Sequence, residues 1–155
     1  MIAVSACLLG ICCRYDGKAQ PNKELKELFE RGEALPVCPE CLGGLTVPRN
    51  PCEIRGGDGF DVIDGQAIVA ANDGRDVTHE FVLGAEKTVM LLKENGITEC
   101  VLKSRSPSCG VGIIYDGTFS GKRIEGNGVT AAMLIKHGIR AVSYTHLTLP
   151  TNNRV

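Results

Sequence analysis

Eight cysteines in 155 residues are the first chemistry the chain offers, and three of them share a plan. Cys7 ends the run Val4-Ser5-Ala6, Cys38 ends Leu35-Pro36-Val37, and Cys109 lies in the proline-punctuated turn that follows Val101-Leu102. If the three runs are neighbouring parallel strands, their carboxyl ends lie on one edge of one sheet, where open α/β sheets bind ligands. Three thiolates gathered there suit iron–sulfur or zinc, because soft ligands select those metals over hard ones. With only three protein ligands, one metal keeps an open position, which separates a catalytic metal from a structural one. Glu40, two residues after Cys38, would point into the same site from a strand end and could act as general base or acid.

The remaining cysteines read differently. Cys100, inside an apolar strand, and Cys52 are both assigned to packing, as free cysteine usually is. Cys12 reads as a loop residue, while Cys13 is close enough to the first strand end to reach the site. Cys38-Pro39-Glu40-Cys41 is also a C-x-x-C. A thioredoxin-like pair would open a helix, but Gly43-Gly44 follows, and a zinc knuckle would want a second close pair, for which Cys12-Cys13 is a poor candidate. Ser106, Ser108 and Asn22 could hydrogen-bond a ligand; Arg49 and Arg105 read as structural or solvated. His79 and His137 fall on expected helix surfaces, and His146 lies in an aperiodic tail, so no cysteine-hydrolase triad forms.

The elements that would position these residues follow from pattern. A buried strand over 2–9 is followed by a helix over 23–31, capped by Asn22, with Leu25, Leu28 and Phe29 on one face. The chain returns as the strand ending at Val37, a βαβ unit with a right-handed crossover. Between 43 and 74 glycines, prolines and Asp-Gly pairs accumulate, and Asp64-Gly65 between Asp61-Val62-Ile63 and Ala67-Ile68-Val69 predicts a hairpin insert. Asp76 or Thr78 should cap the longest helix, to about Asn95, which leads to the strand at 100–102. A hairpin over 113–119, a helix to Gly138 and a strand over 139–143 complete the pattern. The fold class is therefore α/β: a small open, mostly parallel sheet in Rossmann-like or flavodoxin-like order, with flanking helices and β-hairpin inserts. Residues 1–143 form the expected single domain, and 144–155 continue no pattern, standing as either a native extension or a foreign end.

A net charge of −1 gives no field to attract nucleic acid or an anionic membrane. No apolar run reaches the roughly 18 residues of a spanning helix. The opening Met1-Ile2-Ala3-Val4 lacks the basic start of a signal peptide, so a cytoplasmic protein with reduced thiols is expected. A chain of this size with one exposed site is a candidate for homodimerisation.

Several motifs in one order then carry a resemblance. Ser5-Ala6-Cys7-Leu8-Leu9-Gly10 with Cys13-Arg14-Tyr15-Asp16-Gly17, Pro36-Val37-Cys38-Pro39-Glu40, Gly43-Gly44-Leu45 with Pro48-Arg49, Asp76-Val77-Thr78, and Ser106-Pro107-Ser108-Cys109-Gly110 with Tyr115-Asp116-Gly117-Thr118-Phe119 resemble the bacterial thiouracil desulfidases over residues 3 to about 143. The resemblance implies a [4Fe–4S] cluster with one iron not bound by protein, Cys7, Cys38 and Cys109 as its ligands with Cys13 as substitute, and Glu40 as acid/base. It implies non-redox, hydrolytic desulfuration of a small thiolated pyrimidine, for which Ser106 and Ser108 are the expected substrate-binding residues from their own hydroxyl chemistry. The rival from another class is a non-catalytic cysteine-rich domain holding a structural zinc or a regulatory cluster. Cys41 departs from the family pattern, which has an aliphatic residue there, and the tail after Ser143 departs from it too.

Overall fold

The computed structural model describes residues 1–11, 14–17 and 21–146. Four parallel strands, β1 (Ile2–Ser5), β2 (Ala34–Val37), β5 (Glu99–Leu102) and β8 (Arg140–Ser143), lie in the order β2-β1-β5-β8. Successive side chains of a strand face opposite ways, and the core divides accordingly. Val4, Ala34 and Val101 pack on Leu25 and Leu28 of α1 (Lys23–Glu30). Ala3, Cys100 and Leu102 pack on the other side against Phe81, Ala85, Val89 and Leu92 of α4 (Thr78–Glu94), and Ala131 and Leu134 of α5 (Val129–Lys136). Each fully buried leucine stabilises this arrangement by roughly 1.5–3 kcal/mol. The chain leaves β1 toward β2 and later returns to its other side as β5, which makes the β1/β5 border the switch point where such sheets place ligands. Among the described residues no helix is long and apolar enough to cross a membrane.

Asn22 caps α1 as expected, its side chain accepting from Leu25 N at 3.1 Å, and this occupies it far from any ligand role. Other expectations change. The first strand stops at Ser5, and Ala6–Leu9 is a 3-10 turn closed by Gly10 at φ 91°. The expected strand at Asp61-Val62-Ile63 is instead the helix α3 (Gly59–Ile63). Its cause is a reciprocal cap: Asp58 Oδ1 accepts from Phe60 N and Asp61 N, while Asp61 Oδ2 accepts from Asp58 N at 2.9 Å. Asp64-Gly65 therefore ends a helix instead of joining two strands. The run at Ala67-Ile68-Val69 becomes β4 (Ile68–Ala71), paired antiparallel with β3 (Cys52–Arg55). Val77 is the N-cap of α4, with the Asp76 carboxylate accepting from Thr78 N at 2.9 Å. The second hairpin pairs β6 (Ile113–Tyr115) with β7 (Arg123–Glu125), leaving Phe119 in the connecting loop.

The one-turn helix α2 (Pro39–Leu42) carries Cys38 as its N-cap and Pro39 at its first position, where a missing N–H costs nothing. It presses backbone to backbone on α4. A Cβ on Gly84 would stand 1.9 Å from the Pro39 carbonyl oxygen, and one on Gly43 would stand 2.0 Å from that of Glu80. Helix propensity alone favours alanine over glycine by about 1 kcal/mol, but overpacking of this kind costs about 3 kcal/mol. Gly84→Ala should therefore lower unfolding free energy by about 2 kcal/mol in urea titration; a gain in stability would show that α2 is free to slide.

Candidate active site

The carboxyl edge of the sheet opens into a cavity of about 600 Å³, within the range of small-molecule sites. Its wall includes Cys7, Cys38, Cys109, Glu40 and Ser106. Each arrives from a different element. Cys7 follows β1 in the 3-10 turn and is 5% exposed, Cys38 follows β2 at the start of α2, and Cys109 follows β5 through the 103–108 loop and is 4% exposed. Burial pushes the Cys109 thiol well above its ordinary range, and the nearby Glu40 carboxylate adds to that. The Ser5 hydroxyl opposes it by donating to the Cys109 sulfur, while its own oxygen accepts from Lys103 N at 3.0 Å. Among the described residues no three His, Cys, Asp or Glu side chains are grouped for a single metal ion. Cys7, Cys38 and Cys109 share the wall of this one cavity, each from a separate element.

Glu40 reaches the cavity from α2 and not from a strand end. Its Oε2 lies 3.4 Å from Arg49 Nη2, and the two side chains are 14% and 9% exposed. Arg49 is itself fixed, donating from Nη1 to Thr46 O at 3.2 Å and from its backbone N to Tyr15 O at 2.6 Å. Arg49, expected to be structural or solvated, thus belongs to the site. So does Cys52, expected in the core: it is half-buried, lines the cavity and has a thiol pushed up to about 11, chiefly by burial and with opposing effects from Arg49 and Glu40. Cys100 is packing as expected, fully buried between the sheet and α4. Cys41 is exposed, though its thiol makes a hydrogen bond with Cys38. Cys38-Pro39-Glu40-Cys41 does open a helix, of a single turn, despite the glycines behind it.

The two serines part company. The Ser106 oxygen accepts from Ser108 N and Cys109 N, both at 3.1 Å, and Ser106 lines the cavity. With its oxygen so used, its O–H is what it has left to give. Ser108 is wholly buried, its hydroxyl 2.8 Å from Thr130 Oγ1 and its carbonyl accepting from Thr130 N and Ala131 N. That geometry gives Ser108 a partner in α5, fastening the Cys109 loop to the helix. The wall also carries Arg14, Lys103 and Arg105 beside Arg49, against the carboxylates of Glu40 and Glu53. Arg14 Nη2 lies 3.4 Å from Asp16 Oδ2, and its buried Nε has no hydrogen-bond partner among the described residues. A chain of near-zero net charge thus has a locally basic pocket. Cys12 and Cys13, the latter the substitute ligand, lie outside the described residues.

A parallel sheet whose switch point holds thiols, a paired carboxylate and basic side chains defines an α/β protein with a small-ligand cavity at its strand ends. The chain belongs to the 2-thiouracil desulfurase family, whose sequence model matches residues 2–145. It is 48% identical over 147 residues to the uncharacterized protein YbbK of Bacillus subtilis (strain 168), covering 95% of this chain and 97% of that one. The solved structure of TudS, a [4Fe–4S]-dependent thiouracil desulfidase, is 43% identical with a TM-score of 0.83, the match covering 97% of this chain and 93% of the other. The expected fold class and the expected class of desulfidase enzyme both stand.

Proposed function

We propose that this chain hydrolyses a small thiolated pyrimidine, of which 2-thiouracil is the type, to the oxo compound and sulfide, using a [4Fe–4S] cluster held by Cys7, Cys38 and Cys109. The observation that carries this reading is the placement of those three cysteines and Glu40 on one cavity at the switch point. The residues present fit such a group. The donors are soft thiols on three separate elements, and the basic wall suits a thiolate-bound, anionic cofactor. Cys7, Cys38 and Cys109 would each take one iron. When bound, a cluster with three protein ligands supplies an iron open to thiocarbonyl sulfur, a soft Lewis acid that polarises the attached carbon.

The chain's own groups then do the proton work. Arg49 holds Glu40 by Oε2 and leaves Oε1 to accept a proton from water as it adds to the thiocarbonyl carbon. Glu40 returns that proton to the departing sulfur, which leaves as HS−, and the remaining hydroxyl proton is released to solvent as the carbonyl forms, so water and thiocarbonyl become carbonyl and hydrogen sulfide with no change in net oxidation state. The Ser106 O–H orients the ring by donating to one of its acceptors, and Lys103 and Arg105 support charge that gathers there. Turnover of 2-thiouracil in heavy-oxygen water by anaerobically purified protein tests the reading. Labelled uracil equimolar with sulfide is expected. Unlabelled product, or sulfur recovered on an added acceptor without uracil, would replace hydrolysis with another reaction.

A further inference from the structure

Among the described residues, two other than glycine adopt positive φ: Arg105 at 62° and Phe119 at 56°, and both line the cavity. For a bulky side chain this conformation is costly and persists only where neighbours enforce it. At Phe119 the enforcement comes from β3. Glu53 Oε1 accepts from Gly117 N at 2.9 Å and from Phe119 N at 3.2 Å, and Arg55 Nε donates to Gly117 O at 3.2 Å. The loop lies so close to β3 that a Cβ on Gly117 would stand 2.5 Å from Ile54 O. The Arg55 guanidinium then stands over the Phe119 ring, 5.7 Å from its centroid. Alternate residues of a single strand, Glu53 and Arg55, thus hold both the backbone and the ring of Phe119. A glycine would adopt this backbone without cost, so the retained ring asks for a use.

Of the three other aromatic residues that line the cavity, Phe81 is 2% exposed within the core, Tyr15 lies under the Arg14 guanidinium at 6.0 Å from its ring centroid, and Tyr115 is carried by β6 in the hairpin, without the left-handed backbone that sets Phe119 apart. We propose that Phe119 is the specificity-determining platform of the pocket, a ring on which the planar face of a heteroaromatic substrate stacks, with Arg55 covering its other face. The inference rests on the proposed thiolated-pyrimidine substrate and adds the residue that selects for its flatness. Stacking acts on the ring and not on the reacting bond. It therefore holds ground and transition states alike, and its loss appears in KM with kcat preserved.

Four variants, Phe119→Leu, Phe119→Gly, Phe119→Tyr and Phe119→Trp, separate this role from a structural one. The cluster-loaded proteins are assayed for KM and kcat with 2-thiouracil, for its dissociation constant by equilibrium dialysis, and for melting temperature. Base–aromatic stacking has a size that makes the expected rise in KM and Kd about tenfold for Leu and Gly, while Tyr and Trp stay within about threefold. The glycine variant should melt at or above the leucine variant, since both lose the ring but only leucine keeps the costly backbone. Binding unchanged within about twofold in Leu and Gly would overturn the proposal, as would a fall in kcat at constant KM, or a glycine variant less stable than the leucine one. A wild-type protein that neither binds nor turns over 2-thiouracil rejects the substrate reading, and Phe119 as its platform falls with it; unaltered variants of an active wild type reject the Phe119 platform alone.

Discussion

Glu40→Gln should lower kcat for desulfuration by about 10²–10⁴, the usual contribution of a positioned general base, while iron content and melting temperature stay at wild-type levels. The separation of effects follows from where Glu40 sits. It lies on a one-turn helix whose position is set by the Gly43–Gly84 contact with α4, not by its own side chain. Glutamine matches glutamate in shape, so it keeps the helix and can still meet Arg49 through its carbonyl oxygen. It cannot take up a proton from water. A companion Arg49→Met variant removes the fixed guanidinium that holds Glu40 Oε2. Its rate should fall less than that of Glu40→Gln, because the base survives with its aim loosened. Full turnover in Glu40→Gln would take the carboxylate out of the chemistry and leave the cavity as a binding site.

The second large effect is expected at the thiols. Cys109→Ser should purify with iron at background and no desulfuration, as should Cys7→Ser and Cys38→Ser, since hard oxygen replaces soft sulfur on a separate element in each case. Cys100→Ser provides the opposite pattern. Cys100 is fully buried in β5 between apolar neighbours, and a hydroxyl without a partner there costs about 1–3 kcal/mol, so stability should drop while iron is retained. Cys41→Ser should retain both. Iron measured per chain, read beside urea unfolding, distinguishes the classes. Loss of iron in Cys41→Ser but not in Cys38→Ser would move the ligand to the exposed member of the pair.

The strand-end cysteines were legible because their logic is topological. Parallel strands put their carboxyl ends on one edge, so apolar runs each followed by a cysteine already imply a shared site. The burial of the sheet on both faces was legible from continuous apolar runs such as Ile2-Ala3-Val4 and Val101-Leu102, whose neighbours face opposite core clusters. What escaped was set by contacts that no local period records. Glu40 and Arg49 are joined through the irregular stretch from Gly43 to Pro48, where nothing in the spacing tells a paired arginine from a solvated one. Ser106 and Ser108 look alike in sequence, and only the packing of α5 turns one toward Thr130. The Asp64-Gly65 pair carried a hairpin signal, but the reciprocal Asp58 and Asp61 cap made the preceding residues a helix. Phe119 gave a weaker sign: an aromatic residue directly after Asp116-Gly117-Thr118 is an odd choice for a turn, and its left-handed backbone explains the oddity.

What the cysteines hold is measured most directly by metal analysis of the anaerobically purified wild-type chain. About four irons and four acid-labile sulfides per chain, with little zinc, are predicted. About one zinc per chain with no labile sulfide would contradict the cluster, and with it the hydrolysis proposed for this pocket.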